Sequence, residues 1–223
     1  RHTAAAAREA IRLLVSAGFG TVSIDLIFAR PGQTAASWSA ELNQAAELGV
    51  RHLSCYQLTF HDETVLGRRL RRGEVAAPSE DSQAELFFLT HEALAAAGLP
   101  AYEVSNFAAG PEHRSRHNLK YWRHLPYLGL GPSAHSFVGG RRWWNRRKLR
   151  LWQAAVDGGL PPVEAWEEPD RDELLLEVLM LGLRTTDGVD LEELRSRDGI
   201  DLVADHSDII ERFPDGRTRV RFK

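Results

Sequence analysis

Thr34-Ala-Ala-Ser-Trp-Ser-Ala-Glu-Leu-Asn-Gln-Ala-Ala-Glu-Leu48, then Gly49, then His52-Leu-Ser-Cys-Tyr-Gln-Leu-Thr-Phe60 decides how the first half of the chain is read. Trp38, Leu42 and Ala45 recur at helical spacing. Gly49 supplies the left-handed residue on which many helices end, and a β-rich run follows it. The same pattern lies on either side. Thr3 to Ala17, Gly18 and Thr21-Val-Ser-Ile-Asp-Leu-Ile-Phe28 precede it; Ser82 to Ala97, Gly98 and Ala101-Tyr-Glu-Val-Ser-Asn-Phe107 follow. Helix–glycine–strand units in series predict a parallel sheet with crossover helices. Thr34, after Pro31-Gly32-Gln33, reads as a helix N-cap, and Ser82 with Glu85 as a capping box. The chain opens directly on a helix and its strands are few for a closed barrel. We therefore expect earlier αβ units to be missing from it.

The pattern changes after Phe107. Residues 108–145 read as loop, rich in Gly, Pro, His, Arg and Trp. Arg146 to Val156 reads as a helix, and Pro161-Pro162 as a boundary. Asp170 to Leu183 is a strongly amphipathic helix carrying Leu174, Leu175, Val178, Leu179 and Leu181. Shorter helical patches follow near Leu191–Arg197 and Leu202–Arg212, then a short strand within Arg217–Lys223. Small helices followed by a β element suggest a winged-helix-like module. The expected divisions are 1–112, 113–160 and 161–223.

Composition sets bounds. A chain of 223 residues suffices for one large domain or two modest ones. Its net charge of −3 weighs against generic nucleic-acid binding, and no nucleic-acid partner is expected. No apolar run approaches the roughly 20 residues of a membrane helix. Cys55 is the single cysteine. It permits no internal disulfide, which fits a cytoplasmic location, and it cannot by itself hold an iron–sulfur cluster.

Several residues could carry chemistry. Asp25 interrupts the apolar run Ile24-Asp25-Leu26-Ile27-Phe28. It is either a satisfied structural carboxylate in a buried strand or a ligand-facing group near the strand's C-terminal end. Pro31-Gly32-Gln33-Thr34 opens a helix, whose N-terminus can hold an anion or be a plain turn. Glu103, Ser105 and Asn106 end the third strand, as site or rim residues. His117-Asn118-Leu119-Lys120-Tyr121-Trp122 sets a histidine beside aromatic rings in a loop. Histidine is a common iron ligand and aromatic faces pack on porphyrins; a hydrogen-bonded loop histidine is the alternative. Tyr127-Leu-Gly-Leu-Gly-Pro-Ser-Ala-His135 is glycine-rich and allows close backbone approach to a ligand, but lacks the dinucleotide fingerprint. Arg141-Arg-Trp-Trp-Asn-Arg-Arg-Lys-Leu-Arg150 interleaves cations and indoles. That pattern suits nucleic acid, a tetrapyrrole with carboxylates, or a solvated basic helix start.

Taken in order, Ser23-Ile-Asp-Leu-Ile, Pro31-Gly-Gln-Thr, Tyr56-Gln-Leu-Thr, Tyr102-Glu-Val-Ser-Asn-Phe-Ala, Ser115-Arg-His-Asn-Leu-Lys-Tyr-Trp122, Tyr127-Leu-Gly-Leu-Gly-Pro-Ser-Ala-His-Ser, Leu181-Gly-Leu-Arg184 and Gly188-Val-Asp-Leu191 resemble the HemW-type heme chaperones. These form a branch of the oxygen-independent coproporphyrinogen III oxidase family of radical-SAM proteins. The resemblance implies an α/β fold, the C-terminal part of a radical-SAM partial TIM barrel, with a small helical, winged-helix-like C-terminal domain. It implies heme binding and delivery to a heme-accepting protein; the alternative is coproporphyrinogen III oxidation. It implies that Asp25 lies on the strand contacting S-adenosylmethionine, and that His117 is the heme-iron ligand with Tyr121 and Trp122 in support. It implies a propionate role for Asn145. The family's three-cysteine motif for a [4Fe-4S] cluster and its glycine-rich S-adenosylmethionine motif are not found in this sequence, so the chain is not expected to be active alone.

Overall fold

Hydroxyl caps start the helices of the first half. Thr3 accepts from the Ala6 N–H ahead of α1 (Ala4–Ser16). Thr34 and Ser37 cap each other at the head of α2 (Ala35–Ala46), and Thr64 caps the short α3 (Val65–Arg71). The next helix, α4 (Glu80–Ala96), starts earlier than the Ser82–Glu85 pattern predicts. Ser79 is its cap, accepting from the Ser82 N–H at 3.2 Å, and Glu80 and Asp81 lie in the first turn. There they meet the positive end of the helix dipole. Gly18 and Gly49 take φ of 84° and 74°, the left-handed conformation that stops α1 and α2. The computed structural model describes residues 3–199, 201, 210–212 and 218–220.

Residues 1–114 and 115–223 form two compact units. In the first, β1 (Ser23–Phe28) and β2 (His52–Gln57) pair in parallel, from Ser23 opposite His52 to Phe28 opposite Gln57. The third strand departs from expectation. Only Asn106–Ala108 forms it, and this β3 runs antiparallel to β2. The cause is a reversal within the segment itself. The Tyr102 N–H donates to the Asn106 carbonyl at 3.0 Å, and Ala101 bridges Phe107. Glu103 holds that turn, accepting from the Ser105 N–H at 2.8 Å and from the Asn106 side-chain amide.

One face of this sheet makes the core. Phe28, Leu53, Cys55 and Phe107 cluster with Trp38 and Leu42 of α2 and with Leu86 and Leu94 of α4. Trp38 is wholly buried, and its indole N–H donates to the buried Thr90 hydroxyl at 2.8 Å. Thr90 in turn donates to the Leu86 carbonyl at 2.6 Å.

The second unit holds more regular structure than its composition suggests. Residues expected to be loop form α5 (Arg116–Trp122), β4 (His135–Val138) and β5 (Arg141–Asn145). Gly139 and Gly140, with φ of 61° and 79°, make the two-residue turn of a β4–β5 hairpin. α6 (Leu149–Asp157) leads past Pro161-Pro162 to β6 (Val163–Glu167), which pairs antiparallel with β5. Gly129 is needed for contact with the chain's own backbone: a Cβ there would lie 2.1 Å from the His135 carbonyl oxygen.

α7 (Arg171–Gly182) starts at an Asp170–Glu173 capping box, and α8 (Leu191–Asp198) follows. β7 (Ile210–Arg212) and β8 (Thr218–Val220) then pair antiparallel. Residues 202–209 of the helical patch near Leu202–Arg212 lie outside the described residues, and its last three residues are strand rather than helix. Among the described residues no helix is long and apolar enough to cross a membrane.

Thr90→Val keeps the shape of the core but leaves the Trp38 indole N–H without its acceptor. We expect a loss of about 1–3 kcal/mol in urea unfolding at unchanged m-value. An unchanged midpoint would show that the bond contributes nothing.

Candidate functional site

Each unit carries a group of polar and aromatic side chains that could hold a ligand. In the first unit the sheet face opposite the core bears Ser23 and Asp25 of β1 and His52 and Ser54 of β2, because side chains alternate along a strand. His52 is buried. Its Nδ1 lies 2.7 Å from the Ser23 hydroxyl and its Nε2 2.9 Å from the Tyr102 hydroxyl. The Arg114 guanidinium sits 5.3 Å from the Tyr102 ring centroid. Burial pushes the His52 imidazole below its ordinary value of 6.5, and the Asp25 carboxylate opposes that shift.

Asp25 itself is exposed, which leaves the ligand-facing alternative open and removes that of a buried structural carboxylate. β1 lies at the end of the three-stranded sheet, and Asp25 alternates to the face away from α2 and α4. Glu103 and Asn106 are engaged with each other in the reversing turn. Cys55 lies in the core with its thiol pushed up to about 12, first by burial and then by Asp25. A single protonated core thiol does not fit an iron–sulfur cluster, and no step here runs through one.

In the second unit the histidine stretch is helical rather than loop. Ser115 caps α5 by accepting from the Asn118 N–H at 3.2 Å, which puts His117 in the first turn with its side chain exposed. His117 and Tyr121 are one turn apart, so their rings meet edge to face with centroids 5.1 Å apart. Tyr121 makes a second such contact with Tyr127 at 4.7 Å, and the Lys120 ammonium lies 5.1 Å from the Tyr121 ring. Trp122 is half-buried. His124 ends the helix at φ 51°, a left-handed position that costs a non-glycine residue roughly 1–2 kcal/mol. Its Nε2 lies 3.0 Å from Glu177 Oε2, and its ring packs on Phe137 at 4.6 Å.

Glu177, on the inner side of α7, also accepts from Arg142 Nη2 at 2.5 Å. Burial disfavours its charge, but the hydrogen bonds from Arg142 and His124 outweigh this and hold the carboxyl below its usual range. Burial raises the Tyr127 phenol, with Arg142 acting against it.

Sequence reasoning did not single out Tyr127, His124, Arg142 or Glu177 as a group. One signal was present: a lone glutamate in Leu174-Leu-Leu-Glu-Val-Leu-Met180. Conversely, the basic stretch is split by the fold. Arg141 pairs with Glu168 and Arg142 with Glu167 and Glu177, while Arg146, Arg147, Lys148 and Arg150 are exposed. Asn145 is buried, and its side-chain amide donates to the Gly131 carbonyl at 2.9 Å, tying down the glycine-rich loop. His135 stacks on Trp144 at 5.6 Å.

Residues 170–214 match the family model of the HemN C-terminal domain. Over 193 residues the chain is 39% identical to the heme chaperone HemW of Mycobacterium tuberculosis, covering 86% of this chain and 48% of that protein. The chain is similar to the heme chaperone HemW over most of its own length. Similarity to the heme chaperone HemW of Synechocystis sp. is 37% identity over 84% of this chain and 46% of that protein. For the mitochondrial radical S-adenosyl methionine domain-containing protein 1 of Mus musculus it is 36%, over 82% and 44%. The chain thus spans about half the length of these relatives. The solved structure of coproporphyrinogen III oxidase (HemN) from Escherichia coli, a radical SAM enzyme, superposes with a TM-score of 0.75 at 17% identity, covering 99% of this chain and 56% of that one. That likeness establishes the α/β fold expected from the resemblance.

The buried His52 gives a pH test. Its folded value is depressed, so the unfolded chain binds its proton first as pH falls through about 6.5. We expect the urea midpoint to drop between about pH 7.5 and 5.5, and to drop less in His52→Gln. Equal pH dependence in the two chains would remove His52 as a source.

Proposed function

We propose that the chain binds heme and passes it to a heme-accepting protein in the cytoplasm, with His117 as the iron ligand. The observation that carries this reading is the exposed imidazole of His117 in the first turn of α5, edge-on to Tyr121, with Tyr127 behind it. An exposed histidine leaves a nitrogen for iron, and aromatic rings next to it offer faces and edges to a porphyrin. The identity to heme chaperones over most of the chain points the same way. Trp122 and Asn145 support the site indirectly in this reading: Trp122 from within α5, Asn145 by fixing the loop at Gly131.

Asp25 belongs to a different task. On the polar sheet face beside Ser23, His52 and Ser54, its carboxylate has the acceptor oxygens to hold the hydroxyls of S-adenosylmethionine in a longer chain. It takes no part in heme ligation. Exchange of heme with an acceptor needs the iron ligand to be reachable, which the exposure of His117 provides.

A hemin titration of the chain, followed at the Soret band, tests this. We expect saturable binding that His117→Ala reduces about 10-fold or more, with a shifted band. Binding held by iron ligation should change little with salt, whereas phosphate-type binding by the basic stretch would weaken steeply. A His117→Ala chain with an unchanged spectrum would rule out His117 as the ligand.

A further inference from the structure

A ligand on a seven-residue helix needs something other than the helix itself to fix its position, since so short a helix has little stability of its own. We propose that Glu177 and Arg142 are positioning residues for His117, acting on α5 at two points; this rests on the heme-binding reading above. The first point is the C-terminal end of α5. His124 takes the left-handed position that glycine usually fills, and its imidazole binds Glu177 of α7 at 3.0 Å. The His124 side chain is only 11% exposed, so this anchor is shielded from competing water. The second point is Tyr121, in the last turn of the helix. Arg142 stands beside the Tyr127 phenol, and Tyr127 meets Tyr121, whose other edge contact is His117.

Glu177 joins the two points, because its carboxylate receives both His124 and Arg142. Arg142 is fixed in turn by Glu167 of β6 at 2.8 Å and lies 5.7 Å from the Phe137 ring of β4. The sheet and α7 thereby grip α5 through side chains that do not include His117. Ligand-supporting groups of this kind act on metal affinity without touching the metal.

The test compares the wild-type chain, His117→Ala, Glu177→Gln, Arg142→Met and His124→Gly by hemin titration, electron paramagnetic resonance and thermal melting. His124→Gly matters most, because glycine keeps the left-handed helix end while the link to Glu177 is lost. We expect folded variants whose hemin affinity falls about 10-fold or more and whose spectra shift toward that of His117→Ala. Added imidazole should restore the wild-type spectrum. If Glu177→Gln or Arg142→Met fails to fold, His124→Gly decides. Folded variants that retain the wild-type spectrum, whether their affinity is unchanged or merely lower, overturn the proposal. Failure of the underlying reading looks different: there the wild-type chain would not bind hemin, or His117→Ala would leave its spectrum unchanged.

Discussion

A carboxylate on the inner side of a leucine-rich helix has to be paired, and Glu177 is that carboxylate. The residues flanking it in sequence are apolar, so without Arg142 and His124 it would be a partly desolvated charge with no partner. Satisfying it fixes the rest of the second unit. Arg142 must lie on β5, which requires the hairpin turn at Gly139-Gly140 and the pairing of β5 with β6. His124 must turn inward, which requires the left-handed end of α5. Among the described residues the exposed His117 meets one edge-on ring, that of Tyr121, and in the proposed account these demands set its position.

The first unit obeys a different constraint. Its sheet has one apolar face, sealed by α2 and α4 around Trp38, and one polar face built on Ser23, Asp25, His52 and Ser54. The alternation of a strand makes both from the same residues. Cys55 and Ser54 are neighbours in sequence, yet one lies in the core with its thiol raised to about 12 and the other faces the polar side. This division explains why Asp25 can sit in an apolar run without being buried, and why the lone cysteine is chemically quiet.

Much of this was legible. The helix–glycine–strand pattern located α2, β1 and β2 because periodicity and glycine stops are local signals. The antiparallel course of β3 was not, since it depends on Glu103 bonding back to Ser105 and Asn106, a choice that no periodicity encodes. The β4–β5 hairpin was hidden for a similar reason: its Arg and Trp side chains read as a basic loop until Glu167, Glu168 and Glu177 are brought opposite them. His117 was singled out as an expected ligand from its stretch of sequence, whereas its helical setting comes from the Ser115 cap. The residues that grip α5 are spread from position 124 to 177, and only the fold assembles them.

The most direct measurement of the central claim is a crystal structure of the hemin-loaded chain with the iron located by its anomalous signal. The account predicts iron within bonding distance of an imidazole nitrogen of His117, with the porphyrin against Tyr121 and α5 still joined to Glu177 through His124. Iron on another histidine, such as His135 beside Trp144, or a porphyrin lying on the exposed cations from Arg146 to Arg150 with no protein ligand, would contradict it.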